Sequence, residues 1–176
     1  MRINPYGEEP VRLALDLLTD PPATAGELAD RCRTAGFTVD MPIGSDDHTE
    51  VADFLAAWSA VIDAPGHHER AERLNVLLAG ASAHPRLTDH AGDGWHVHYR
   101  DPDLPLPGAL RALISVGTAL HLAGRGIHRL GRCLADGCDR PFADFSRTGR
   151  QRYCSPACGN RSAVRRHRTR SAGSHS

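Results

Sequence analysis

An α+β chain is expected: a mainly α-helical N-terminal domain carrying one small β-hairpin, followed by a compact cysteine-stapled module at the C-terminus. Three observations predict it. Apolar residues recur at three- and four-residue spacing in several stretches before residue 131, which is the mark of amphipathic helices. The period shortens to two over residues 86–100, around a glycine turn. Four of the five cysteines then fall within the 26 residues from Cys133 to Cys158. The boundaries drawn are 1–130 for the acidic helical domain, 131–170 for the C-terminal module, and 171–176 for a disordered tail.

Taken in order, residues 11–18 (VRLALDLL) open the apolar pattern as a helix or a strand, and Pro21-Pro22 stops it. Thr24 and Glu27 form a capping box, in which hydroxyl and carboxylate satisfy free backbone donors at a helix start. That helix is expected to end near Ala35, at Gly36. A third helix runs from about Asp47 to Asp63, with Val51, Phe54, Leu55, Trp58, Val61 and Ile62 on one buried stripe. A fourth runs from His68 to Ala79, with Ala71, Leu74, Leu77 and Leu78 inward. In the hairpin, Trp95, Val97 and Tyr99 are expected to face the core, with His96 and His98 opposite. After the proline-rich DPDLPLP segment a long helix is expected over 108–129, with Leu110, Leu113, Ile114, Gly117, Leu120 and Ile127 inward.

Apolar residues make up 40% of the 176, enough for an ordinary core in the longer part. No apolar run is read as a membrane span and no leader peptide is visible, so a cytoplasmic protein is expected. The formal net charge of zero hides a split. Residues 1–131 hold 11 Arg against 18 Asp and Glu, whereas residues 132–176 hold 10 Arg against 3 Asp. Such a change of sign points to two parts with different partners.

The cysteines stand as Cys133-LADG-Cys138, a loop of fifteen residues, then Cys154-SPA-Cys158. Two close thiol pairs joined by a loop can surround one tetrahedral zinc ion, whose borderline-soft character suits thiolates. Asp136-Gly137 supplies a tight turn for the first pair. Ser155-Pro156 is a helix start for the second, placing Cys158 in a first turn whose dipole favours a thiolate. Between the pairs, residues 140–146 and 151–153 are expected to form two short strands joined by 147–150. A module of about 45 residues with Phe142, Phe145 and Tyr153 as its main apolar groups is marginal without a staple. Redox disulfides and unrelated buried thiols are the competing readings. One structural Zn2+ on Cys133, Cys138, Cys154 and Cys158 fits best; four thiolates leave no open position for a reactive water, so no enzyme activity is expected.

These residues resemble the CGNR zinc-finger family, whose motif stands here as Cys158-Gly159-Asn160-Arg161. The likeness includes Cys154-Ser155, the Phe142…Asp144…Ser146-Arg147 stretch and the basic segment after the motif, and it spans roughly residues 125–170. The first 125 residues are similar in layout to the ABATE domain found in front of such fingers. Relatives often carry an Asn-Thr pair where Leu18-Thr19 stand here, so no role of that Asn transfers. The resemblance implies a treble-clef-like zinc finger and a transcription regulator, in some descriptions stress-induced.

Past the last cysteine the chain reads GNRSAVRRHRTR. On a helix, Arg161, Arg165 and Arg168 share one face, and Arg166 and Arg170 an adjacent one. Guanidinium groups so arranged suit phosphate oxygens and guanine edges. With Arg150, Arg152 and Asn160 they make the candidate nucleic-acid contact, DNA ahead of RNA. The alternative is an adaptor whose finger docks a protein partner. The acidic domain is expected to act as a sensor for an unidentified small-molecule effector or as a dimerisation module, which adds a homodimer to the expected partners. His96 and His98, with His90 across the hairpin, have the spacing of a second metal site, although exposed strand histidines are the commoner case. Cys32 reads as a small core group.

Overall fold

The structure, a computed structural model, describes residues 7–89 and 95–173, apart from the side chains at positions 96 and 170–173. Helices α1 (Glu8–Thr19), α2 (Ala25–Thr34), α3 (Asp47–Ile62) and α4 (His67–Ala81) precede strands β1 (Arg86–Thr88) and β2 (His96–His98). Helix α5 (Leu106–Arg125), strands β3 (Leu130–Arg132) and β4 (Pro141–Ala143) and helix α6 (Pro156–Gly173) follow. Both sheets are two-stranded and antiparallel, β1 with β2 and β3 with β4.

Local chemistry places the helices where spacing puts them. The Thr24 hydroxyl accepts from the Glu27 amide at 3.1 Å and the Glu27 carboxylate accepts from the Ala23 amide at 2.9 Å, which closes the start of α2. Gly36, at φ +78°, turns the chain after it. The whole α3 stripe expected from periodicity is buried, from Val51 to Ile62. In α4 only Leu74 of the four expected residues is fully buried; Leu77 and Leu78 pack at the core's margin.

Helix α5 is the central element, with α1, α3 and α4 packed around it. It is long and apolar enough to cross a membrane by length and composition, contrary to the expectation that no segment is, but most of it is buried in this core. It is also shorter than expected, ending at Arg125; Gly126, at φ +123°, breaks it, and Ile127 packs from the following turn instead. Trp58 donates to the Thr118 hydroxyl at 2.9 Å, and that hydroxyl donates to the Ile114 carbonyl at 2.7 Å, so the polar atoms between α3 and α5 are satisfied. At the crossing of α1 and α5, a Cβ on Gly117 would lie 2.6 Å from Pro10 Cβ; only glycine permits so close an approach.

Arg70 of α4 is buried and donates to the Val61, Ile62 and Ile127 carbonyls at 3.0, 2.9 and 2.8 Å. It thus satisfies orphan carbonyls at the end of α3, where a cation also meets the negative end of the helix dipole.

The hairpin departs from expectation. Leu87 pairs with Val97 on one side, yet Trp95 is 71% exposed, Leu87 66% and Val97 40%. Alternation identifies which residues share a side, but among the described residues nothing covers that side, so it faces solvent. The turn at 91–94 and His90 lie outside the described residues.

The C-terminal pairing differs as well. No strand forms at 151–153; β4 instead pairs backward with β3, Leu130 opposite Ala143. Leu130 and Ala143 belong to the main core, and β3 and β4 contact α3 and α1. The expected boundary at 130/131 therefore crosses a hairpin that is seated on the helices. Helix α6 continues to Gly173, past the expected start of a disordered tail at 171; residues 174–176 lie outside the described residues.

Candidate metal centre and basic face

Strand β3 delivers Cys133 to the site, and its amide donates to the Arg140 carbonyl at 2.9 Å. The chain then turns through Gly137, at φ +70°, with the Cys138 amide donating to the Ala135 carbonyl at 2.9 Å. The second pair is brought alongside by a single backbone bond, Leu134 amide to Arg152 carbonyl, at 3.0 Å. Ser155 caps α6, its hydroxyl accepting from the Cys158 amide at 3.3 Å, so Cys158 occupies the first turn. The four Sγ atoms lie within 4.8 Å of one another. Cys138 to Cys154 and Cys154 to Cys158 are each 3.7 Å. Tetrahedral zinc with Zn–S of about 2.3 Å requires sulfurs about 3.8 Å apart. The four cysteines fit one zinc ion.

Burial disfavours a thiolate at Cys133, yet the Cys154 and Ala135 backbone amides and the neighbouring thiols outweigh it and bring the pKa down to about 7. Burial and the sulfurs around Cys154, the Cys133 charge among them, push its thiol up to about 12. The first negative charge in the cluster therefore opposes the next, and a divalent cation removes that opposition. Arg161 donates to the Cys158 sulfur at 3.3 Å, a contact of the kind that orients and tunes a metal ligand.

Asp144 and Arg129 hold the loop between the two pairs. The Asp144 carboxylate accepts from the Ser146 and Gln151 amides, both at 2.8 Å, which folds 144–151 back on itself and leaves 151–153 no strand partner. Arg129, also buried, donates to the Arg125 carbonyl at 2.8 Å, the Asp144 carbonyl at 3.2 Å and the Ser146 carbonyl. Its guanidinium lies 3.6 Å from the Asp144 carboxylate. Although burial acts to raise it, the pKa of Asp144 is lowered, because Ser146, Gln151 and Arg129 stabilise its charge. Gly149, at φ +67°, lies against the Arg129 guanidinium; a Cβ there would be 2.9 Å from Cζ. The sequence singled out Asp144 only through the family resemblance, and held no sign of Arg129.

On the surface, a cleft of about 450 Å³ is lined by Arg150, Arg152, Tyr153, Ser155, Gly159 and Asn160, among others. Arg165 and Arg166 lie elsewhere, on a second groove of about 430 Å³ with Leu134 and Asp136. Arg165 pairs with Asp136 at 2.6 Å, and Arg166 donates to the Tyr153 hydroxyl at 2.7 Å. Helical periodicity places Arg161, Arg165 and Arg168 together, and all three are exposed, but Arg161 and Arg165 each hold a partner within the finger, the Cys158 sulfur and the Asp136 carboxylate. Arg170 is on α6, and its side chain lies outside the described residues. Cys32 is buried, its thiol pushed up to about 11 by burial. Among the described residues the four cysteines are the only cluster that could hold a metal; the His90, His96 and His98 reading rests on His90 and the His96 side chain, which lie outside them.

Residues 129–171 match the CGNR zinc finger family. The matched segment begins at Arg129 and holds β3, β4, all four cysteines and most of α6. No curated protein matches the chain.

Proposed function

We propose that this protein is a cytoplasmic transcription regulator that binds nucleic acid, DNA ahead of RNA, through a zinc-stabilised arginine-rich finger. The observation that carries this reading is the placement of charge. The acidic residues belong mostly to the helical layer, whereas α6 packs extensively against none of α1–α5, and the finger carries Arg150, Arg152, Arg161, Arg165, Arg166 and Arg168, of which, among the described residues, only Arg165 meets an acidic partner, Asp136. A cationic helix held away from an acidic body suits a polyanion.

In this reading the finger is of treble-clef type, with one cysteine pair beside a hairpin and the other opening a helix. Its metal is structural, since four thiolates complete the tetrahedral shell. The helical layer is an ABATE-like sensor or dimerisation module, with a small-molecule effector or a second copy as its partner.

Fluorescence anisotropy of zinc-loaded protein against mixed-sequence duplex DNA over a salt series tests the proposal. Binding at low salt that weakens linearly with the logarithm of salt concentration supports it. One observation favours a second reading, a protein-docking adaptor: Leu134 is 60% exposed beside the groove of Tyr153, Arg165 and Arg166. Absence of any duplex binding at low salt would favour that reading.

A further inference from the structure

We infer that the phosphodiester backbone is gripped by the cleft between residues 150–155 and the first turn of α6, through Arg150, Arg152 and Asn160, and not by the Arg165/Arg166 face. This rests on the nucleic-acid reading above and names the surface responsible.

The argument starts from which cations are already engaged. Arg165 holds the Asp136 carboxylate, Arg166 holds the Tyr153 hydroxyl, and Arg161 covers the Cys158 sulfur. To reach a phosphate, each must first give up a partner inside the finger. Arg150 and Arg152 make no side-chain hydrogen bond or ion pair among the described residues, and both are exposed. Asn160, also exposed, lines the same cleft and offers an amide donor.

The shape agrees. The volume of about 450 Å³ is broadly open to solvent, and Gly159 and Tyr153 are among its lining residues. Two guanidinium groups and an amide lining one space suit the oxygens of a phosphate, which arginine meets with paired N–H donors. Four thiolates on a divalent ion leave about two negative charges nearby. Arg161, at the sulfur, is the residue placed to offset them, and Arg150 and Arg152 remain available for an external anion.

The test uses full-length zinc-loaded protein and mixed-sequence duplex DNA, with zinc content measured for every variant. Arg150→Ala plus Arg152→Ala is expected to weaken binding at least about tenfold at low salt. It should also flatten the dependence of log K on log salt by about two, one for each phosphate no longer neutralised. Asn160→Ala, which carries no charge change, is expected to weaken binding without changing that slope. Arg165→Ala plus Arg166→Ala is expected to leave the slope unchanged. If that last pair flattens the slope while the Arg150/Arg152 pair does not, the cleft assignment is overturned and the nucleic-acid reading stands. If the unaltered protein binds no duplex at low salt, both fall together.

Discussion

The helical layer and the finger are held together by different physics. In the first, Val11, Leu17, Leu28, Leu55, Trp58, Leu110 and Ile114 share one cluster from which water is excluded. Each such side chain contributes about 1.5–3 kcal/mol through burial alone. In the second, the separate cluster consists of Cys133, Ala135 and Cys158, with Cys138, Tyr153 and Cys154 around it. No large aliphatic side chain takes part. The first region keeps its shape by area, the second by coordination, and the hairpin of β3 and β4 belongs to the first although it lies in the segment that matches the finger family.

That contrast can be broken most severely at the metal. Replacement Cys154→Ser, or chelation, removes binding on the order of 10 kcal/mol and should unfold residues 133–139 and 147–165 while β3, β4 and the helices persist. NMR amide dispersion of the metal-free protein decides it; a finger spectrum that stays dispersed would count against a metal-held module.

The reciprocal change, Trp58→Ala, is expected to cost about 3–5 kcal/mol in denaturant unfolding of the helical layer while zinc stoichiometry stays at one equivalent. Loss of the metal in that variant would show that the two regions are not separable. Arg129→Ala cuts between them. It leaves the buried Asp144 carboxylate without its cation, at about 3–5 kcal/mol, and should both lower the thermal midpoint and loosen zinc retention under chelator challenge. Gly149→Ala acts on the same contact more gently. Its positive φ costs about 1–2 kcal/mol for any residue with a Cβ, and the methyl presses on the Arg129 guanidinium.

The smallest expected effect is acidic. His121 of α5 is fully buried, neither ring nitrogen has a partner at full hydrogen-bond geometry among the described residues, and the ring meets Phe145 at a tilt of 59° with centroids 4.9 Å apart. Burial, with the Arg125 charge adding to it, lowers its pKa. Between about 6.5 and that depressed value the unfolded chain binds more protons than the folded one, so stability falls as pH falls through this window. Asp144, also depressed, contributes stability above about 3.9 that disappears at lower pH still. Denaturant titrations at about pH 7.5 and about pH 5.5 should show a larger loss for the unaltered protein than for His121→Leu. Equal losses would remove His121 as the cause.

Sequence made the local features legible and left the distant ones hidden. Helical spacing and the Thr24–Glu27 cap located the helices because both act within a few residues. The cysteine pairs declared themselves in the same way, each with its own turn or cap. What stayed hidden depends on partners far along the chain. Pairing of β4 with β3 follows from Asp144 binding the Gln151 amide, not from any alternation in 151–153. The exposed side of Leu87 and Val97 could not be told from a buried one by period alone. Nor does helical spacing show that Arg165 meets Asp136, 29 positions upstream.

Helix α6 is tethered at Cys158, Arg165 and Arg166, all within its first three turns, and its remaining residues to Gly173 project past these tethers. The helix as a whole is about 27 Å long, and the part past the tethers, residues 167–173, about 10 Å. A tilt of about 10° at Arg166 moves the far tip by about 2 Å, whereas the same tilt at Pro156, with the tethers released, moves it by about 5 Å. Asp136 and Tyr153 serve as stays on that beam. On the proposed nucleic-acid function, cutting them should leave grip unchanged and blur where along a duplex the tip comes to rest.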